Sequence, residues 1–169
     1  MSARSTGPVF TEVRDCPGGI LDIEFFLPIV PPTVTAQQKG VAVRGGKPRF
    51  YTKDAVRDAA ATFISWLLAA RRGMDPADEA RLPLKGAVML IVEWSFHFPA
   101  SKPGLCNKLK PTRPDVDNLQ KLFKDCLTRA GFWRDDAQVA VETASKWYRA
   151  RPGIRVIIRA EADCNARKP

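Results

Sequence analysis

Four aspartates frame one strongly patterned segment of this chain and constrain both its fold and its chemistry. Asp115 and Asp117 stand two residues apart where the segment begins, and Asp135 and Asp136 follow soon after it ends. The chain as a whole has a formal net charge of +9 at pH 7, so this acidic cluster runs against the overall charge. Four close carboxylates call for a cation. Their oxygens suit a hard divalent ion, Mg²⁺ above all, with Mn²⁺ as a possible substitute.

The segment between the two acidic pairs predicts an amphipathic helix. Its apolar residues recur at helical spacing and would form one buried stripe, which consists of Leu119, Leu122, Phe123, Cys126, Leu127 and Ala130. Gly131 supplies the left-handed residue that ends many helices. At about 100° per residue, Lys121 lies about 40° around the helix from Asp117, away from the buried stripe. We therefore expect Lys121 and the Asp117 carboxylate on the same side of the helix.

Each acidic pair also has a purely structural interpretation. Asp117 and Gln120 could form an N-cap and capping box, and Asp135 and Asp136 could belong only to a polar turn. A calcium-binding EF-hand is excluded, because Leu119 occupies a ligand position and the later glycine and glutamate are missing. The complete order of the motif, with paired acids returning after one helix, favours the metal site.

The order of residues in this motif is specific. It runs Asp115-Val-Asp117-Asn118-Leu119-Gln120-Lys121, continues through Asp125 and Leu127, and closes with Asp135-Asp136-Ala-Gln138-Val139. This order resembles the RusA family of Holliday-junction endonucleases, found in bacteria and their phages. The similarity is dense over residues 113–139, and weaker similarities occur at Pro31-Pro32 and at Phe50-Tyr51-Thr52.

The resemblance implies an activity and a set of site residues. Asp115, Asp117 and Asp136 would hold Mg²⁺, and Lys121 would be the catalytic lysine. Asp135 and Asn118 occupy matching positions and are possible additional site residues. The implied enzyme is a homodimer that resolves Holliday junctions, the four-way branched DNA of recombination and repair, by paired phosphodiester cuts. Two alternatives stay open: a less selective flap or replication-fork nuclease, and a non-catalytic basic DNA-binding module.

Basic residues gather in two runs that contain no acidic residue. Lys and Arg together number 27 against 18 Asp and Glu, and the sequence pI is about 9.7, which suits a polyanionic partner. The residues expected to contact DNA are Lys39, Arg44, Lys47 and Arg49 in the first run, and Lys108, Lys110 and Arg113 in the second. A solvated surface explains either run alone. Two such runs around a carboxylate cluster favour binding to a phosphate backbone.

Cysteine usage and the shortness of the apolar runs, together with the resemblance, favour a cytoplasmic protein of bacterial or phage origin. The four cysteines show no C-x-x-C spacing, which argues against a zinc site. The N-terminal residues lack the apolar core of a secretion signal. The longest apolar run, residues 87–92, is too short to cross a bilayer, so no membrane partner is expected.

The order of predicted elements indicates a single α+β domain. Strands are expected at residues 20–27, 49–52, 87–98, 138–148 and 154–160, with a helix from residue 52 to about residue 72 in addition to the motif helix. Residues 33–47 would form a basic loop or loose hairpin, and the last two strands would form a hairpin that turns near Pro152-Gly153. A mixed or antiparallel sheet with two main helices packed on one face is the natural layering.

The expected boundaries place the endonuclease domain at residues 19–161. Residues 1–18 are expected to be irregular, and residues 162–169 to form a frayed tail. Within this domain the motif helix would pack its apolar stripe on the sheet. Asp136, at the start of the next strand, could then return beside Asp115 and Asp117.

Overall fold

The computed structural model describes residues 9–16, 20–33, 39–44, 47–52 and 54–161. The strands are β1 (Val9–Cys16), β2 (Ile20–Leu27), β3 (Lys39–Arg44), β4 (Lys47–Thr52), β5 (Val88–Phe96), β6 (Val139–Tyr148) and β7 (Gly153–Glu161). The helices are α1 (Asp54–Arg72), the single turn α2 (Pro76–Glu79) and α3 (Val116–Arg129). Two short 3₁₀ turns lie at Pro103–Leu105 and Asp136–Gln138.

A five-stranded mixed sheet with the order β1-β2-β7-β5-β6 organises the domain. Only β5 and β6 are parallel, and the other neighbouring pairs are antiparallel. Parallel neighbours need a crossover connection, and α3 lies in the one between β5 and β6. The prediction of an α+β domain with a mixed sheet and two main helices is confirmed.

Both long helices pack on the same face of the sheet, against Trp94 of β5. The Trp94 ring lies 6.1 Å from Phe63 of α1 and 5.3 Å from Phe123 of α3, measured between ring centroids. The Phe63 and Phe123 rings are 5.1 Å apart and meet edge to face. All three side chains are at most 1% exposed. Such aromatic pairs add roughly 0.5–1.5 kcal/mol each beyond the burial of apolar area, so this cluster fixes α3 on the sheet.

The predicted stripe of α3 is confirmed, because all six of its apolar residues are buried. Gly131 has a φ of 76° and ends the helix as expected. Arg71 of α1 packs against this glycine and donates a hydrogen bond of 2.7 Å to the Ala130 carbonyl. Burial raises the pKa of the Cys126 thiol to about 12, so this cysteine packs as a protonated, apolar side chain.

The expectation that residues 1–18 are irregular is wrong for Val9–Cys16. This segment forms β1 and pairs with β2 in antiparallel register, from Val9 opposite Phe26 to Cys16 opposite Ile20. It is an edge strand, and Arg14 and Asp15 are exposed. Backbone pairing with β2 stabilises it, so its sequence carries little of the apolar alternation that marks a strand with one buried face. Residues 162–169, expected to be a frayed tail, lie outside the described residues.

The expected hairpin of the last two strands is also wrong, because β5 lies between β6 and β7. The link of residues 149–152 passes the end of β5, where the Arg149 amide donates to the Phe96 carbonyl at 2.8 Å. At Gly153 a Cβ atom would lie 2.0 Å from the Phe26 ring, so only glycine allows this close passage. Local periodicity identifies the two strands but does not determine which neighbour each of them pairs with.

The basic segment near residue 40 is a hairpin of β3 and β4, a two-stranded sheet separate from the main one. Lys39 pairs with Thr52, and Arg44 with Lys47. The side chains of both strands lie outside the described part of the structure. No helix within the described ranges is long and apolar enough to span a membrane.

Candidate active site

Helix α3 begins at the first aspartate of the motif. Asp115 is the N-cap, with extended backbone, and its carbonyl accepts from the Leu119 amide at 3.2 Å. The Asp115 side chain makes no capping hydrogen bond and is exposed. Asp117 lies inside the first turn, where a negative charge is favourable near the helix N-terminus. The alternative that Asp117 is the N-cap is therefore wrong, and capping occupies neither carboxylate.

Three of the predicted site residues line one open cavity of about 510 Å³. Asp117 and Lys121 reach it from α3, and Asp136 reaches it from the 3₁₀ turn that precedes β6. Lys121 stands one helical turn after Asp117, so their lining of one cavity follows from the expected geometry. Asp115 does not line this cavity. The remaining lining residues are Val116, Gln120, Lys124, Glu142 and Ala144.

The carboxylates of Asp117 and Asp136 are available to a ligand. Both side chains are exposed, and neither forms a hydrogen bond or ion pair within the described ranges. In that same part of the chain, no three His, Cys, Asp or Glu residues are grouped closely enough to hold a metal ion. Of the three expected ligands Asp115, Asp117 and Asp136, only the last two line the same cavity. Mg²⁺ usually binds proteins through one or two carboxylates and keeps several waters, so the pair fits this ion.

The neighbouring Asp135 has a structural role. Its carboxylate accepts from the Ala137 amide at 2.8 Å, and the Gln138 side chain accepts in return from the Asp135 amide at 3.1 Å. This capping box closes the 3₁₀ turn. Gln138 also donates to the carbonyls of Leu84 and Gly86 at 3.0 and 2.9 Å, which attaches the turn to the chain just before β5. Asp135 thereby holds the turn that presents Asp136.

A polar network beside the cavity, centred on the buried Gln120, was not predicted. Gln120 is 3% exposed and accepts a hydrogen bond of 3.1 Å from the Trp94 indole. Its amide donates to Glu142 of β6 at 2.9 Å, and Lys124 pairs with the other oxygen of Glu142 at 2.6 Å. The network ties α3 to β5 and β6 beside Asp117. A glutamine bordering the apolar stripe was the only signal, because Glu142 lies 22 residues away in sequence.

Two other residues of the motif lie outside this cavity. Asn118 is 8% exposed and does not line it. Asp125 lines a larger cavity of about 880 Å³ between α1 and α3, together with Arg57, Arg129 and Arg134. Asp136 borders both cavities, whereas Asp117 and Lys121 line only the smaller one. The smaller cavity therefore gathers three of the residues that the motif singles out, Asp117, Lys121 and Asp136.

The basic residues of the second run divide into two kinds. Lys108 and Arg113 are exposed, and their side chains have no partner in the described part of the protein. Lys110 is bound to its own loop: its ammonium donates to the Thr112 carbonyl at 3.1 Å, to the Thr112 hydroxyl and to the Arg113 carbonyl. Burial lowers the pKa of Lys110. Lys39, Arg44, Lys47 and Arg49 lie on β3 and β4, and their side chains are outside the described residues.

Comparison with known proteins finds similarity to the same family that the motif resembles. The sequence model of the family described as Endodeoxyribonuclease RusA matches residues 29–159. The chain is 29% identical over 127 residues to the crossover junction endodeoxyribonuclease of Lactococcus phage r1t, which covers 74% of this chain and 86% of that protein. It is 59% identical over 34 residues to the proteins of the same name from Escherichia coli K12 and Enterobacteria phage 82. These shorter matches cover 20% of this chain and 28% of each relative.

Proposed function

The chain belongs to the RusA family of endodeoxyribonucleases, and from this premise we propose that it is a Mg²⁺-dependent enzyme that resolves Holliday junctions in recombination and repair. The observation that carries the proposal is the cavity shared by Asp117, Lys121 and Asp136. Asp117 and Lys121 come from the start of the motif and Asp136 from its end, and all three line this one cavity. Carboxylates that can hold a divalent ion, with a lysine beside them, are groups suited to metal-assisted hydrolysis of a phosphodiester.

Asp117 and Asp136 would hold the metal ion, with Asp115 at the helix N-cap as a third candidate ligand. A bound divalent ion supplies positive charge that polarises the scissile phosphate and promotes ionisation of a water molecule. The protein keeps both carboxylates free of partners within the described ranges. The Asp135 capping box holds the 3₁₀ turn that carries Asp136, and the Gln120 network holds α3, which carries Asp117. An ion held by Asp117 and Asp136 would also offset the repulsion between these carboxylates and DNA phosphate.

Lys121 brings a positive charge to the same cavity. Its side chain is exposed and has no protein partner within the described ranges, so it is available to the substrate. We propose that it stabilises the negative charge that develops on the phosphate in the transition state. Neighbouring Lys124 is paired with Glu142 and serves to hold α3 against β6.

We propose that the working unit is a homodimer. A four-way junction has near two-fold symmetry, and its resolution requires two cuts in strands of like polarity. One cluster of Asp117, Lys121 and Asp136 makes one cut at a time, so two sites related by a two-fold axis match the substrate. Light scattering at the protein concentration used for cleavage measures the oligomeric state.

One cleavage assay on three DNA substrates distinguishes junction resolution from the two alternative functions. A labelled four-way junction, a flap and a linear duplex are each incubated with Mg²⁺ and with EDTA. We expect cleavage of the junction alone, and only with Mg²⁺. Comparable cleavage of the flap would favour the less selective nuclease, and binding without cleavage of any substrate would favour the DNA-binding module.

The exposed cations of the loop before α3 are expected to contact the DNA backbone. For Lys108→Gln with Arg113→Gln, we predict weaker junction binding and a slope of log affinity against log salt that is shallower by about 2, because each lost phosphate contact removes about 0.9. The exposed Arg72 at the end of α1 provides a control, Arg72→Gln, that should leave the slope unchanged. Identical slopes for the double variant and the wild type would exclude this loop from the interface. The set Arg44, Lys47 and Arg49 is tested in the same way.

A further inference from the structure

Two lysines hold the chain immediately before the first aspartate of the motif. The Lys146 ammonium, on β6, donates to the carbonyls of Thr112 and Pro114 at 2.8 and 2.6 Å. The Lys110 ammonium donates to the carbonyls of Thr112 and Arg113 and to the Thr112 hydroxyl. Three consecutive carbonyls are thus turned toward two cations.

Neither lysine is placed there by an acidic partner. Within the described residues no carboxylate forms an ion pair with Lys110 or Lys146. Lys110 instead lies over the rings of Phe96 and Tyr148, at 5.2 and 5.6 Å from their centroids. An ammonium group has three donors, and the loop accepts all three from Lys110. Keeping two cations close together has an electrostatic cost, which carbonyl dipoles and ring faces offset here.

These contacts connect the two halves of the candidate active site. Pro114 is followed by Asp115, the N-cap of α3, and Asp117 stands in the first turn of that helix. Lys146 belongs to β6, the strand that follows Asp136 and its 3₁₀ turn. The bond from Lys146 to the Pro114 carbonyl therefore ties the C-terminal half of the strand that follows Asp136 to the residue before Asp115. It acts at the N-terminal end of α3, as the Gln120–Glu142 contact does one turn later.

We propose that Lys146 is a positioning residue, which with Lys110 fixes the N-terminus of α3 and so holds the Asp117 carboxylate in the cavity that it shares with Asp136, where the two would bind a metal ion. This inference rests on the proposed metal-dependent function. The basic residues of the second run then have two different roles, because Lys108 and Arg113 face solvent, whereas Lys110 acts inside the protein.

The direction in which the affinity for a divalent cation changes when Lys146 is replaced distinguishes a positioning role from a purely electrostatic one. Removing a positive charge near two carboxylates should, through charge alone, tighten the binding of a divalent cation. Loss of the group that holds the ligands in place should weaken it, by about tenfold or more where supporting contacts of metal ligands have been removed. The two roles of Lys146 thus predict opposite changes.

The experiment measures Mn²⁺ binding to the DNA-free protein by electron paramagnetic resonance, for the wild type, Lys146→Met and Lys108→Met. Lys108→Met is the matched control, because it removes the same charge from the exposed side of the neighbouring loop. We expect Mn²⁺ to bind Lys146→Met on the order of tenfold more weakly, and Lys108→Met as tightly as the wild type or more so. Junction cleavage by Lys146→Met should recover as the metal concentration is raised.

Unchanged or tighter Mn²⁺ binding by a folded Lys146→Met protein would overturn the inference. Thermal unfolding establishes that the variant is folded. If it is not, Lys146→Gln serves instead, because it removes the charge and the ammonium donors but keeps a polar side chain; it too should bind Mn²⁺ more weakly, and wild-type or tighter binding would refute the role. Wild-type protein that fails to cut a junction would contradict the proposed function itself, a result distinct from either outcome here.

Discussion

Asp117→Asn and Asp136→Asn are each expected to lower the rate of junction cleavage on the order of 10³-fold, which corresponds to about 4 kcal/mol of activation free energy. The amide keeps the shape of the side chain and loses the charge that a hard divalent ion requires. Both side chains are exposed and lack protein partners within the described ranges, so the fold should tolerate the change. Junction affinity should stay the same or increase, because the variants repel phosphate less.

Asp125→Asn is the matched control for these variants. Asp125 is an exposed aspartate of the same helix, two turns beyond Asp117, and it lines the other cavity. It should retain far more activity than the other two variants. Asp115→Asn tests the third candidate ligand and is also expected to lower cleavage, because its carboxylate is not used for capping. Wild-type cleavage rates for the variants of Asp115, Asp117 and Asp136 would refute the metal-site assignment.

Lys121→Ala is expected to lower the cleavage rate on the order of 10²-fold while changing junction affinity little. Its charge would act on the transition state, whereas ground-state binding is shared among many phosphate contacts. Lys124→Ala is the control: Lys124 lies on the same helix and the same cavity, but it is paired with Glu142. Single-turnover cleavage and binding, measured separately for each variant, distinguish rate from affinity.

Lys121→Arg decides how the lysine acts. A guanidinium keeps the positive charge and cannot be deprotonated in proteins, so it can stabilise charge but cannot accept a proton. The proposed role predicts that Lys121→Arg retains clearly more activity than Lys121→Ala. An arginine variant as slow as the alanine variant would instead indicate that Lys121 accepts a proton from the attacking water.

The parts of the fold that follow from local periodicity were predictable. The apolar stripe of α3 repeats at helical spacing. Gly131 can be recognised in the sequence as the end of the helix, because glycine adopts a positive φ without a steric clash. The positions of β6 and β7 were recognisable as strands, but their separation by β5 depends on long-range pairing. β1 was missed for the related reason that an edge strand obtains its stability from its neighbour's backbone.

The candidate site also has parts that follow from local sequence and parts that depend on long-range contacts. Asp117 and Lys121 are one helical turn apart, so their common cavity follows from helix geometry. The contacts of Gln120 with Trp94 and Glu142, and those of Lys146 with the loop before Asp115, join residues that are distant in sequence. Charge alone predicts that Lys110 binds DNA. Its internal hydrogen bonds become visible only when the loop is folded.

Paired, metal-dependent cuts in a four-way junction are the defining property of the proposed activity, and they can be mapped strand by strand. Each strand of a junction is labelled in turn and incubated with wild-type protein in Mg²⁺, with wild-type protein in EDTA, and with Asp117→Asn in Mg²⁺. We expect symmetric cuts in two strands of like polarity for the wild type in Mg²⁺ and an intact junction in the other two reactions. Cuts that persist in EDTA, or a junction that is bound but left uncut in Mg²⁺, would contradict it.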